Sequence, residues 1–411
     1  MLDIAIICIV ITAFLAYLNN RFVGMPTTIG VMAVALVCSL SLVGLDAFGI
    51  AHSVRLYEES FLHSIDFPDL MMHGMLSLLL FAGALHVDLL ELQAFRWQVA
   101  ILAVFGTLLS ALASGIGMWL VLPLVNLHLP LMYCLLFGAL ISPTDPIAVM
   151  AILKSARAPR ELELVIASES LFNDGVAVVV FSLLLGMLAN GQAPSFSKAV
   201  ELLVHETGGG LLFGFILGYL TVRMLGSVDN YKVEVLLTLA AVTGGYALAS
   251  KLDVSGPLAM VVTGLIIGNH GHRPGAPEVS RHYLDLFWEL IDEILNATLF
   301  VLLGMEVLSV VFSGKELLGT GMAIVVTLLA RLITVGLPTR VLGSIVKLPD
   351  GSWKVLTWAS LRGGISVALA LSLPGGPERD TVVALTYGVV VFSILVQGLS
   401  IRRVTRKALS R

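Results

Sequence analysis

The chain has 411 residues, of which 57% are hydrophobic and 13% charged, with a mean hydropathy of +0.96 and a formal net charge of −4. This composition excludes an ordinary soluble domain and fits an all-α polytopic membrane protein. No segment has the character of a soluble domain, a low-complexity tract or a nucleic-acid-binding patch, so no nucleic-acid partner is expected.

In chain order the hydropathy pattern predicts about thirteen spans, over residues 3–19, 26–45, 68–88, 97–123, 131–153, 161–189, 198–225, 231–250, 254–269, 290–312, 315–345, 352–374 and 379–401. Each approaches the roughly 20 apolar residues that a helix needs to cross the hydrocarbon core. Only two connections are long, 46–67 and 270–289. Both mix apolar and charged residues (Tyr57, Phe61 and Leu62; Tyr283, Leu284, Phe287 and Trp288), which suits short helices lying at the membrane interface. The N-terminus has neither a basic run nor a small-residue cleavage site, so no removable signal peptide is expected. Cys8, Cys38 and Cys134 lie in apolar segments without paired spacing and read as small buried hydrophobes. The Gly208-Gly209-Gly210 run, with Gly214 and Gly218, reads as close helix packing in span seven.

Lys and Arg orient the bundle. The connections after odd-numbered spans and the C-terminal tail hold 17 of them, and the opposite side holds 5; Arg331 and Arg362 fall inside spans. The positive-inside rule then puts the N-terminus outside and the tail Arg402-Arg403-Val404-Thr405-Arg406-Lys407 in the cytoplasm, anchoring the last helix.

The chemistry is concentrated in three spans. Span six carries Glu169, Asn173 and Asp174 inside an apolar run. An ionisable group at that depth costs roughly 3 kcal/mol on insertion scales, so it marks function. Glu169 and Asn173 are four residues apart, as are Ser170 and Asp174, so each pair stacks on one face of the helix, and that face must look onto a protein-lined cavity. Span five is interrupted by Ser142-Pro143-Thr144-Asp145-Pro146, where two prolines each remove a backbone donor. Span twelve is interrupted by Leu361-Arg362-Gly363-Gly364-Ile365-Ser366, where paired glycines permit a non-helical stretch. Breaks at corresponding positions of spans 1–6 and 8–13 suggest an inverted repeat with a binding site at the midplane.

These segments resemble signature stretches of the monovalent cation–proton antiporters. Ser142-Pro143-Thr144-Asp145-Pro146, Glu169-Ser170-Leu171-Phe172-Asn173-Asp174-Gly175 and Leu361-Arg362-Gly363-Gly364 are similar to the Asn-Asp branch, which holds bacterial NhaP-type proteins and eukaryotic sodium/proton exchangers. Phe81-Ala82-Gly83-Ala84-Leu85-His86-Val87-Asp88-Leu89 is a softer fourth match. The resemblance implies a thirteen-helix homodimer in the bacterial inner membrane, serving pH and sodium homeostasis. Residues 97–190 and 314–411 would form a moving core domain, and 1–96 and 191–313 a dimerisation domain. It further implies that Asp174 alternately holds a proton or a cation, that Asp145, Thr144, Ser170 and Asn173 complete the monovalent cation site, and that Glu169 and Arg362 form a buried structural ion pair.

The residue chemistry agrees with those roles. An alkali cation needs hard oxygen donors, which carboxylate, hydroxyl and freed carbonyl groups supply. Burial penalises a bare carboxylate, so a proton and a cation compete for it, and binding one excludes the other. The expected activity is exchange of Na⁺ for H⁺, with Li⁺ and K⁺ left open, and with no enzymatic step and no cofactor. Asp145 and Asp174 would also suit the acid–base pair of an intramembrane hydrolase, and a passive cation channel is a further alternative. The neutral Asn173 implies one-for-one, electroneutral exchange. Arg331 is left without an assigned partner, Glu306 is read as an interfacial charge, and His270 and His272 as sites where pH sensing is conceivable.

Overall fold

Within lipid no water satisfies backbone N–H and C=O groups, and the chain meets this constraint with helix almost throughout. The computed structural model describes residues 2–47, 66–146, 149–150, 153, 158–190, 196–270, 278–308, 314–341, 348 and 351–409, among which there is no strand. The main helices are α1 (Leu2–Leu18), α2 (Thr27–Ala47), α3 (Phe67–Leu85), α4 (Arg96–Val125), α5 (Leu131–Ile141), α6 (Arg160–Asn190) and α7 (Phe196–Leu225). They continue with α8 (Tyr231–Lys251), α9 (Gly256–His270), α10 (Glu278–Met305), α11 (Gly314–Val341), α12 (Ser352–Trp358), α13 (Gly364–Leu371) and α14 (Pro377–Ala408). Among the described residues eight helices are long and apolar enough to cross a membrane. Thr27–Leu42, Leu131–Ile141 and Gly256–Asn269 add shorter apolar helices. The chain is therefore a multi-pass membrane protein.

Both predicted interruptions are present. Helix α5 stops at Ile141, and residues 142–146 are not helical; α12 stops at Trp358, and α13 starts at Gly364. The first long connection, with its expected interfacial helix, falls at 48–65, outside the described residues. The second differs from expectation: residues 278–289 continue directly into α10 as one 28-residue helix. Trp288 explains why. Its ring is fully buried, 4.6 Å from that of Phe81 in α3, and its Nε1 donates to Thr238 Oγ1 of α8 at 3.1 Å. A residue held so deeply by two neighbouring helices anchors this turn inside the bundle rather than on the lipid surface.

Close helix crossings rely on absent side chains. In α7 a Cβ on Gly210 would meet the carbonyl of Ser255, and one on Gly214 that of Ala259, while Thr263 Oγ1 donates to Gly214 O at 3.1 Å. The glycine run thus lets α7 lie directly against α9. Helix α9 presses on α3 in the same way at Gly264 and Gly268, and Asn269 ties the two ends together, accepting from Leu89 N and donating to Val87 O, both at 2.8 Å. Cys8 and Cys134 are buried, as expected, whereas Cys38 is exposed. At the other end of the chain the basic tail is a continuation of α14, with Ile401 and Thr405 buried and its four basic residues exposed. Glu306, expected at the interface, is instead buried.

The buried ion pair is not the expected one. Glu169 is gripped by Arg331 of α11, Nη1 to Oε1 at 2.5 Å and Nη2 to Oε2 at 2.8 Å, a bidentate arrangement with both side chains buried. Arg362 instead donates from Nη1 to the carbonyl oxygens of Ser142 and Pro143, each at 2.7 Å. The physical reason is the break itself. The end of α5 leaves carbonyls without N–H partners and carries the negative end of a helix dipole, so it attracts the guanidinium across the gap. Glu169 lies on intact helix and is free to take the other arginine.

Arg331→Ala should leave Glu169 buried and unpaired, lowering stability by about 3–5 kcal/mol. Thermal unfolding of the purified protein should recover part of that loss when Glu169→Gln is added. Glu169→Gln should give no recovery to Arg362→Ala, and a recovery there would return the pair to its predicted partner.

Candidate functional site

The two interruptions meet and complete each other's hydrogen bonding. Asp145 N donates to Leu361 O at 2.8 Å, linking one unwound stretch to the other. Arg362 N donates to Ser393 Oγ of α14 at 2.9 Å, and Gln397 of the same helix donates to Trp358 O at 3.1 Å. Ser142 turns its hydroxyl back onto Ala139 O at 2.8 Å. Freed backbone groups in a low-dielectric interior are costly unless paired, and here each strand of irregular backbone is paired by the other or by α14. Gly363 is extended, at φ −124°, so its glycine is required by space and not by dihedral angle. A Cβ there would lie 2.5 Å from Asp145 Oδ2.

Helix α6 runs beside this crossing and presents Glu169, Ser170, Asn173 and Asp174, all buried. Thr144 Oγ1 and Ser170 Oγ are 2.9 Å apart. Asn173 Nδ2 donates to Thr144 Oγ1 at 2.8 Å, and its Oδ1 accepts from Thr144 N at 3.3 Å. Asn173 therefore clasps Thr144 from both sides, holding the unwound stretch of span five against α6. Both of its polar ends are used in doing so, which makes it a positioning group behind Thr144.

The wall that faces open space is made by other members of the set. A cavity of about 420 Å³ is lined by Thr144, Asp145, Asp174, Gly363, Gly364 and Ser366, among others. Asp174 is only 8% exposed, and that remaining exposure is toward this space. Of the five residues expected to surround a cation, Thr144, Asp145 and Asp174 line the cavity, while Ser170 and Asn173 stand one layer back. Glu169 faces Arg331, away from it. Two carboxylates, a hydroxyl and irregular backbone make a hard-oxygen surface suited to a monovalent cation or a proton. Among the described residues there is no cluster of His, Cys, Asp and Glu able to hold a tightly bound metal. His272 lies outside the described residues.

The cavity has a second polar wall that the sequence reading did not single out: Asp292 and Asn296 of α10, with His86 at the end of α3. Asp292 and Asn296 are four residues apart inside an apolar stretch, the same pattern that drew attention to Glu169 and Asn173. The predicted span 290–312 places Asp292 within a turn of its start, where a charge is less costly than at the bilayer centre.

Comparison with known proteins agrees with this architecture. A profile of the family described as "Sodium/hydrogen exchanger, transmembrane" matches residues 9–407. The chain is 50% identical over 411 residues to the Na(+)/H(+) antiporter NhaP of Pseudomonas aeruginosa, covering 99% of this chain and 97% of that one. It is 36% identical over 311 residues to the Na(+)/H(+) antiporter NhaH of Halobacillus dabanensis, covering 74% of this chain and 75% of the relative. Among solved structures, the sodium proton antiporter MjNhaP1 of Methanocaldococcus jannaschii superposes with a TM-score of 0.72 at 21% identity, over 93% of this chain and 99% of that one, a likeness of fold. With the family profile matched over residues 9–407 and a 50% identical relative matched along nearly its whole length, the chain belongs to the sodium/hydrogen exchanger family of transmembrane proteins.

Proposed function

We propose that the protein exchanges Na⁺ for H⁺ across the membrane by alternating access, with Asp174 taking proton and cation in turn. The observation that carries this reading is the position of Asp174. Its carboxylate sits almost wholly buried on the wall of the cavity beside the crossing of two broken helices, with Asp145 and Thr144 on the same wall. A bare carboxylate there is poorly solvated and is stabilised by whichever of Na⁺ or H⁺ arrives. Asp145 and Thr144 supply further oxygens, and Asn173 and Ser170 hold Thr144 in place. The names of the 50% and 36% identical relatives favour Na⁺ as the cation.

Residues 97–190 and 314–411 serve as the moving core domain in this reading, and 1–96 with 191–313 as the dimerisation domain of a homodimer. The N-terminus is outside and the basic end of α14 is in the cytoplasm of a bacterial inner membrane, as the Lys/Arg asymmetry requires. The inverted repeat of spans 1–6 and 8–13 provides the two access states. The chain falls in the Asn-Asp branch, Glu169 is paired with Arg331, and Asn173 is a neutral amide. The site then carries the same charge with H⁺ or with Na⁺, so exchange is one for one.

Three outcomes test this. Asp174→Asn should abolish antiport in proteoliposomes while the protein stays folded and retains its oligomeric state; robust exchange from this variant would sink the assignment. Gly363→Ala should reduce the maximal exchange rate by roughly tenfold or more, about 1.4 kcal/mol of barrier. Its methyl group displaces the Asp145 carboxylate, and retention of wild-type rate would show that Asp145 does not need this position. With the pH gradient clamped at zero, an imposed membrane voltage should drive no Na⁺ uptake beyond leak, whereas accumulation scaling with voltage would overturn electroneutral exchange.

A further inference from the structure

Helix α10 crosses the cavity opposite the broken helices and presents the stripe Asp292, Asn296 and Leu299 to it, at positions i, i+4 and i+7. Leu299 lines the cavity with its side chain packed where a Cβ on Gly364 would stand. Above it Asn296 is 1% exposed, and its Nδ2 donates to the carbonyl of Asp292 at 2.8 Å. That bond fixes which way round the amide lies, because its oxygen could not take the same place against a carbonyl. Oδ1 is left as a buried acceptor with no hydrogen-bond partner in the protein, on a residue that lines the cavity. One turn earlier on the same helix the half-buried Asp292 also lines the cavity, with exposed Glu289 and Glu293 near it in sequence. A buried orphan oxygen is costly, and natural proteins keep one chiefly where something else supplies its partner.

We propose that Asn296 Oδ1 and the Asp292 carboxylate form an outer cation-binding subsite, which takes a partly hydrated Na⁺ from solution and passes it across the cavity to Asp174. Two hard oxygen donors of different charge, one helical turn apart, hold an alkali cation loosely enough to release it. The cavity leaves room for the waters that complete its shell. The acidic residues of this part of α10 raise the local cation concentration. The subsite rests on the exchange-site reading above, yet its residues lie on the dimerisation side of the proposed domain division. Cation transfer from α10 to α6 therefore crosses the boundary between the two bodies that move.

The test is the Na⁺ dependence of antiport in proteoliposomes at constant ionic strength set with choline chloride. Asp292→Asn and Asn296→Leu should each raise the apparent KM for Na⁺ about three- to tenfold, with maximal rate within about twofold of wild type, as expected for loss of one oxygen ligand. Asp292→Glu should restore the KM, and Asn296→Asp, which keeps an oxygen and adds charge, should leave it unchanged or lower it. If Asn296→Leu does not fold, a raised KM in Asn296→Asp counts against the proposal in its place. An unchanged KM in folded Asp292→Asn, or a fall in maximal rate alone, overturns it. So does a rise in KM that disappears when choline is increased, because screening removes a general field and not a ligand. Asp174→Asn measured alongside keeps the two readings apart. Activity in that variant defeats the exchange site, whereas a dead Asp174→Asn with an unshifted Asp292→Asn defeats only the outer subsite.

Discussion

Irregular backbone inside a membrane exists only where something other than water satisfies it, and this protein places two such stretches in contact. Asp145 N bonds to Leu361 O, and Arg362 reaches the carbonyls of Ser142 and Pro143. Ser393 and Gln397 of α14 take up what remains of the second break. Neither interruption would be tolerable alone. Together they open helix ends, a side-chain hydroxyl and two carboxylates onto one cavity at the heart of the bundle, and the positions of Thr144, Asp145 and Gly363 all follow from that contact.

A second consequence is the separation of brace from site. Glu169 and Asp174 share α6, five residues apart, yet they face different surroundings. Glu169 is neutralised by a bidentate arginine from α11, whereas Asp174 faces the cavity. One carboxylate of α6 is thus tied to an arginine, and the other is left on the cavity wall. Asn173 has a related role, since both ends of its amide hold Thr144.

Much of this was legible before any coordinates. The prolines around Thr144 and the glycines after Arg362 announce broken helices because their effect is local: a missing N–H, a clash or a missing Cβ acts on the adjoining turn. Asp174 stood out because an aspartate in an apolar run is expensive wherever the helix sits. The glycines of α7 likewise declared a close crossing, although only packing reveals α9 as the partner. The partner of Glu169 was not legible. Arg331 and Arg362 are both arginines within spans, and the choice between them depends on which one lies nearest the orphan carbonyls of α5. The continuous α10 was hidden for a similar reason, since the mixed polarity of residues 278–289 suits an interfacial helix until Trp288 is seen buried against Phe81.

The sequence by itself determined the class of protein, the location of both helix breaks and the carboxylate at the centre, because each rests on the cost of a particular residue in lipid. Only the tertiary structure decided which arginine holds Glu169, that Asn173 clasps Thr144, and that α10 brings Asp292 and Asn296 to the far wall of the same cavity. Those are relations between helices remote in the chain. Side-chain pairing energies depend on distances of a few ångströms, and spacing along one helix carries no information about which helix packs across from it.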